Sequence, residues 1–238
     1  FFIFKFESAN LVAQTNNVMG IDLYIENLMP KLTQKTCQLI QNREAKLHSI
    51  QWHIAESNLD KEFSEFAKIC CEDAFSECNI RSQLKIQIEI PDLLLTFLEG
   101  DTKVFRKIEL KSTKSRDRSV PGSTILNLDP NIWTIFCLRT TSGFELKYGR
   151  YHLGIAKGTH DLLQDRSPRP RLIFDNFQDP NEEPNEIKKS SDKFFYKHYA
   201  ATAIERILNP KGRKSWQDDL IEEIVREVKR NPNRFKDI

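Results

Sequence analysis

Three runs of residues in the middle of the chain constrain the fold most. In Leu84-Lys85-Ile86-Gln87-Ile88-Glu89-Ile90 apolar and polar residues alternate strictly, the pattern of a strand with one face buried and one wet. Asp92-Leu93-Leu94-Leu95-Thr96-Phe97-Leu98 is almost continuously apolar, as a central strand buried on both faces would be. Glu99-Gly100-Asp101-Thr102 is turn chemistry, and Val104 to Lys111 is again strand-like. Three strands separated by such short breaks can only form an antiparallel meander.

The flanks read differently. From Pro30 to about Glu56, Leu32, Thr36, Leu39, Ile40, Leu47, Ile50 and Ile54 fall at helical spacing, with Pro30 placed for a first helical turn. Ser57-Asn58 breaks that pattern. A second helix is expected from about Asp60 to Glu77, its stripe made of Phe63, Phe66, Ala67, Cys70, Cys71 and Ala74. After the meander, Trp133–Arg139 and Phe144–Tyr148 flank Thr141-Ser142-Gly143 as a hairpin. Tyr148 to Gly154 reads as strand with a buried aromatic side. Residues 164–193 are rich in Pro, Asp, Asn and Lys, with regular structure expected only near Leu172–Phe177. Helices are expected over Phe194–Leu208 and from Ser215, where Ser215 and Asp218 fit a capping box and Leu220, Ile221, Ile224, Val225 and Val228 share a face.

This order predicts an α/β (α+β) chain: a central mixed sheet flanked by helices. One domain over 1–238 is expected, with a helical part (26–78), a sheet core (82–160), and a loop with C-terminal helices (161–238). The composition, 39% hydrophobic and 29% charged, is that of a water-soluble globular domain. A net charge of +2 excludes a uniformly basic polyanion binder, so any nucleic-acid surface must come from local clustering. No apolar run is long enough to span a membrane. The opening Phe1-Phe2-Ile3-Phe4-Lys5-Phe6-Glu7 is too short and too charged for a signal peptide, and it suggests a strand or helix of a fold that continues upstream. Cys37, Cys70, Cys71, Cys78 and Cys137, odd in number and without metal spacing, read as reduced thiols of a cytoplasmic protein.

Functional chemistry concentrates at Pro91-Asp92 and Glu109-Leu110-Lys111. Alternation puts Glu109 and Lys111 on one strand face. A hairpin folded about Asp101 sets Asp92 across from Glu109 or Leu110, with directly opposed Cβ atoms about 5 Å apart. Two carboxylates that close form a site for one hard divalent cation, with the Leu110 carbonyl as a further oxygen ligand. Lys111 beside the ion would position or help deprotonate an attacking water.

Pro91-Asp92 with Glu109-Leu110-Lys111 resembles the motif of the PD-(D/E)xK nuclease superfamily, and Ile108-Glu109-Leu110-Lys111-Ser112-Thr113-Lys114 looks like its type II restriction endonuclease version. The similarity covers about residues 60–115. It implies a restriction-endonuclease-like core and Mg2+-dependent cleavage of double-stranded DNA, with Asp92 and Glu109 as metal ligands and Lys111 as catalytic lysine. Relatives often add an acid from the preceding helix, for which Glu65 and Glu62 are the candidates.

Lys114, Arg116 and Arg118, interleaved with Ser112 and other small hydroxyls, leave directly from Lys111 and suit phosphate contact. Arg166, Arg169 and Arg171 form a second cluster, fit either to read guanine edges or to belong to a proline-stiffened linker. The stripe of the last helix serves either a homodimer interface or packing on its own sheet. The alternatives to a restriction-type enzyme are a repair or junction nuclease with the same chemistry, a catalytically silent DNA-binding module, and an interaction protein.

Overall fold

The computed structural model describes residues 3–50, 61–78, 82–89, 92–123, 129, 131–156, 170–182 and 216–235. It is an α+β structure. Helices α1 (Ile3–Asn42), α2 (Glu44–Ser49) and α3 (Lys61–Ser76) precede strands β1 (Gln83–Glu89), β2 (Asp92–Glu99), β3 (Thr102–Thr113) and β4 (Ser119–Pro121). Strands β5 (Trp133–Arg139) and β6 (Phe144–Arg150), the short helix α4 (Tyr151–Gly154), strand β7 (Arg171–Ile173) and helix α5 (Trp216–Arg230) follow. The main sheet has the order β1-β2-β3-β5-β6, and β4 pairs with β7 in a second, two-stranded sheet. Only the β3–β5 pairing is parallel, so the main sheet is mixed, as expected.

The meander lies where the sequence puts it. Glu99 pairs with Thr102, leaving Gly100-Asp101 as a two-residue turn in which Gly100 takes the positive φ (57°) such a turn needs at its first position. Directly paired residues share a face, so the register sorts the side chains. One face carries Ile86, Leu93, Leu95, Phe97, Val104, Ile108, Leu110, Trp133, Ile135, Cys137, Leu146 and Tyr148, all buried together with the apolar sides of α1 and α3. Each large side chain removed from water there contributes roughly 1.5–3 kcal/mol.

The first helix departs from expectation. Its start at Pro30 is corrected to a continuous helix from Ile3 to Asn42 with Pro30 inside it. The reason is the buried stripe Ile21, Ile25, Met29, Leu32, Thr36 and Ile40, which keeps helical spacing straight through the proline. Burial on both sides of Pro30 offsets the one N–H it removes, a local cost of about 3 kcal/mol. Residues 51–56 of the expected helix lie outside the described residues. α3 and its stripe fall where predicted.

Among the described residues the opposite sheet face is covered only in part. Phe136, Leu138, Tyr151, Ile155, Leu172, Phe174 and Phe177 form a second buried cluster, which seats α4 and the β4–β7 sheet over β5 and its surroundings. The strand with one buried aromatic side expected over Tyr148–Gly154 is corrected: Tyr148 and Tyr151 are both fully buried, but in different clusters, because the strand gives way to α4 after Arg150. The expected helix over 194–208 and the cap residue Ser215 lie outside the described residues. On α5, Ile224 and Val228 are exposed. All five cysteines are free thiols, and all but Cys78 are buried. No described helix is long and apolar enough to cross a membrane.

Candidate metal centre

The site lies on this second face, at the step where the described part of the second layer ends. The β2–β3 register runs from Glu99↔Thr102 to Leu93↔Ile108, and one further step along it sets Asp92 opposite Glu109. Both carboxylates therefore leave the same face of adjacent strands, with Lys111 two residues on. Asp92 and Glu109 are 9% and 3% exposed, low for acids, which stay wet unless paired.

Each acid has its own ammonium. Lys111 Nζ lies 2.6 Å from Glu109 Oε1, and the Ser123 hydroxyl donates to the same oxygen at 2.7 Å. Lys107 Nζ is in contact with Asp92 Oδ2. The other Asp92 oxygen, Oδ1, is buried without a hydrogen-bond partner among the described residues. Burial pushes the Asp92 carboxyl above the usual carboxylate range, and the Glu109 charge adds to the push, against the pull of Lys107 and Lys111. Burial works to lower the pKa of Lys107, but its bond to Asp92 and the charges of Glu109 and Glu89 outweigh that and leave it raised.

Ser123 is placed by the second layer. Its N–H donates to the Tyr151 hydroxyl at 2.7 Å, and the neighbouring Gly122 N–H donates to the Pro170 carbonyl at 2.7 Å. Thr134, paired with Glu109 across β3–β5 and fully buried, carries a hydroxyl without a hydrogen-bond partner among the described residues. Glu89 is paired with Asp92 across β1–β2 but is exposed. Among the described residues no three His, Cys, Asp or Glu side chains are grouped to hold a metal ion. The donor set is therefore two carboxylates, one with an unpaired oxygen. That suits a magnesium-sized ion, which keeps several waters and takes one or two carboxylates from the protein.

Several expected residues are elsewhere. Glu65, and with it Glu62, is corrected: α3 packs on the far side of the sheet through Phe63, Phe66, Ala67, Cys70, Cys71 and Ala74, and both acids are exposed there. Ser112 is corrected as well, since it pairs with Cys137 and shares the helix-covered face, away from Lys111. The Leu110 side chain is buried on that same face, as alternation requires.

The basic residues divide. Lys114 and Arg116 are exposed. Arg118 has a positive φ (50°), is bonded to Glu145 and Asp175, and lies over the Phe174 ring at 4.9 Å. Arg171 donates to Ser119 Oγ at 2.8 Å and pairs with Asp117 at 3.2 Å. Both arginines fasten the β4–β7 sheet, which corrects their expected role as free phosphate or base contacts. Arg169 lies outside the described residues.

Sequence reasoning missed Lys107 and Ser123. Lys107 was legible by alternation, since Lys103, Phe105, Lys107, Glu109 and Lys111 share one face. Ser123 carries no local signal, because only the packing of Tyr151 and Pro170 brings it to Glu109. Comparisons with family models, curated proteins and solved structures find no match to this chain.

Proposed function

We propose that this protein is a magnesium-dependent endonuclease that hydrolyses phosphodiester bonds of double-stranded DNA, with a restriction-endonuclease-like core and site-specific cleavage of restriction type. The observation that carries the reading is the register: adjacent central strands deliver Asp92 and Glu109, both buried, to one face with Lys111 beside them. Asp92 and Glu109 would hold the ion, with the Leu110 carbonyl a further proposed ligand. A bound magnesium ion would supply Lewis-acid charge at the scissile phosphate and a more acidic water.

The remaining work falls to the chain's own groups. Ser123 and Lys111 fix the Glu109 carboxylate from two directions, which limits its rotamers. The Lys111 ammonium, on a side chain only 15% exposed, is held at the site to orient a water by donating a hydrogen bond to it. The face of β1–β3 that no described element covers offers a route to the substrate. It presents Lys85, Lys103 and the exposed ring of Phe105, and Lys114 and Arg116 lie exposed just beyond β3. Cations with an aromatic surface suit a phosphate backbone. Free, mostly buried thiols suit a reducing, cytoplasmic setting.

The test is plasmid and mixed-sequence DNA incubated with Mg2+ or with EDTA, using wild-type protein, Asp92→Asn and Lys111→Ala. Discrete Mg2+-dependent fragments, lost in both variants, are expected. DNA binding without cleavage under any divalent ion would instead mark a silent binding module.

A further inference from the structure

Lys107 is the residue of this site that the nuclease reading does not use. It stands on the site face of β3, opposite Leu94 and one pleat from Asp92, and its ammonium lies against Asp92 Oδ2. The neighbouring carboxylate is held differently. Lys111 is only 15% exposed, and Glu109 is bonded to Ser123 as well, so that pair is locked from two sides. Lys107 is 38% exposed, and Lys107 is the one residue among the described contacts that touches the Asp92 carboxylate. Withdrawing Lys107 therefore costs less than withdrawing Lys111.

There is also room for it to withdraw. Lys107 lines a cavity of about 370 Å3 with Leu94, Phe105, Ile132 and Asn131. The cavity opens along β3 before the point where β5 begins to pair with it, at Ile108↔Trp133. A four-carbon stem anchored at 107 can swing from Asp92 into this space by rotamer change alone, without movement of the strand.

We propose that Lys107 is a tethered cation that occupies Asp92 until a divalent ion displaces it, so that Lys107 sets the metal affinity of the site. The proposal rests on the reading of Asp92 and Glu109 as metal ligands. Its physical basis is competition: the ammonium holds Asp92 Oδ2, and an ion entering at Oδ1 beside an undisplaced ammonium would meet like charge within a few Å. A charge-assisted hydrogen bond has to be given up for the ion to enter, and its net worth corresponds to about tenfold to a hundredfold in apparent affinity. Lys107 is a positioning residue in this scheme, acting through Asp92.

The test measures Mn2+ binding to the whole protein without DNA, by calorimetric titration or by the electron-spin resonance signal of free Mn2+. Wild type, Lys107→Gln, Lys107→Ala, Lys107→Arg and Asp92→Asn are compared after thermal melts establish that each is folded. Lys107→Gln and Lys107→Ala are expected to bind Mn2+ about tenfold to a hundredfold more tightly than wild type. Lys107→Arg, which keeps the charge, stays near wild type. A purely structural role for Lys107 would not raise metal affinity. If Asp92→Asn loses the ion while the two neutral variants bind as wild type does, or more weakly, the competition is refuted and the metal site stands. If no variant binds Mn2+, or if Asp92→Asn binds it as well as wild type, the metal-site reading fails and the proposal with it.

Discussion

Replacing Gly122 by alanine tests how the second layer delivers Ser123 to Glu109. A Cβ at position 122 would lie 1.9 Å from the Tyr151 hydroxyl oxygen, 2.7 Å from the Pro170 carbonyl oxygen and 3.1 Å from Tyr151 Cζ. Neither neighbour yields cheaply. Tyr151 is fully buried in the aromatic cluster, and Pro170 O is backbone. Restoring ordinary contact requires a shift of roughly 1.5 Å, which breaks the Gly122–Pro170 and Ser123–Tyr151 hydrogen bonds. Two bonds of about 1 kcal/mol each and overpacking of about 1–3 kcal/mol give a loss of about 3–5 kcal/mol. Urea unfolding should show a lower midpoint with an unchanged slope, because the surface exposed on unfolding is the same. In a Tyr151→Phe background the atom that clashes hardest is gone, so Gly122→Ala should cost about 1–2 kcal/mol less there. Gly122→Ala within about 0.5 kcal/mol of wild type would refute the packing argument, since changes of that size are typical of sites touching nothing.

Two further predictions concern the basic residues and the thiols. Lys114→Ala should lower the salt dependence of DNA binding by about one ion released. Arg118→Ala should leave that slope unchanged and cost about 0.5–1 kcal/mol of stability, a value kept small because its partners are partly exposed; a reduced slope for Arg118→Ala would return this residue to the DNA surface. Burial pushes Cys70 up to about 11 and Cys71 and Cys137 up to about 12, and it also raises Cys37. Raised values keep these groups as unreactive thiols at pH 8. A thiol reagent should therefore label Cys78 alone in the folded protein and all five cysteines after denaturation, and fast labelling of a second thiol would contradict the buried core.

The parts legible in the sequence are those set by local periodicity. Alternation placed β1, the continuous apolar run placed β2, and the turn near Asp101 narrowed the partner of Asp92 to Glu109 or Leu110, between which the observed register selects Glu109. Helix α3 was legible for the same reason, its stripe being complete within its own length. The start of α1 was not, because Pro30 is a strong local stop signal and only burial of Ile21, Ile25 and Met29 against the sheet overrides it. Regular structure near Leu172–Phe177 was legible, but the pairing of β4 with β7 was not, because each strand is three residues long and the sheet is fastened by long-range contacts of Arg118 and Arg171. Those contacts also explain why two arginines that read as DNA contacts are structural. A cluster of like charges in sequence does not reveal which members meet Asp117, Glu145 and Asp175. The helix acid failed on geometry, since the face α3 covers is not the face Asp92 occupies.

The central claim is that Asp92 and Glu109 share one cation. The most direct measurement is Mn2+ binding to wild type, Asp92→Asn, Glu109→Gln and the double variant, with stoichiometry and affinity read from one titration series. Sharing predicts one ion per chain at this site, with each single substitution losing nearly as much affinity as the double, because either change alone removes half of the same ligand set. Losses that simply add, or an ion retained at full affinity in either single variant, would contradict it.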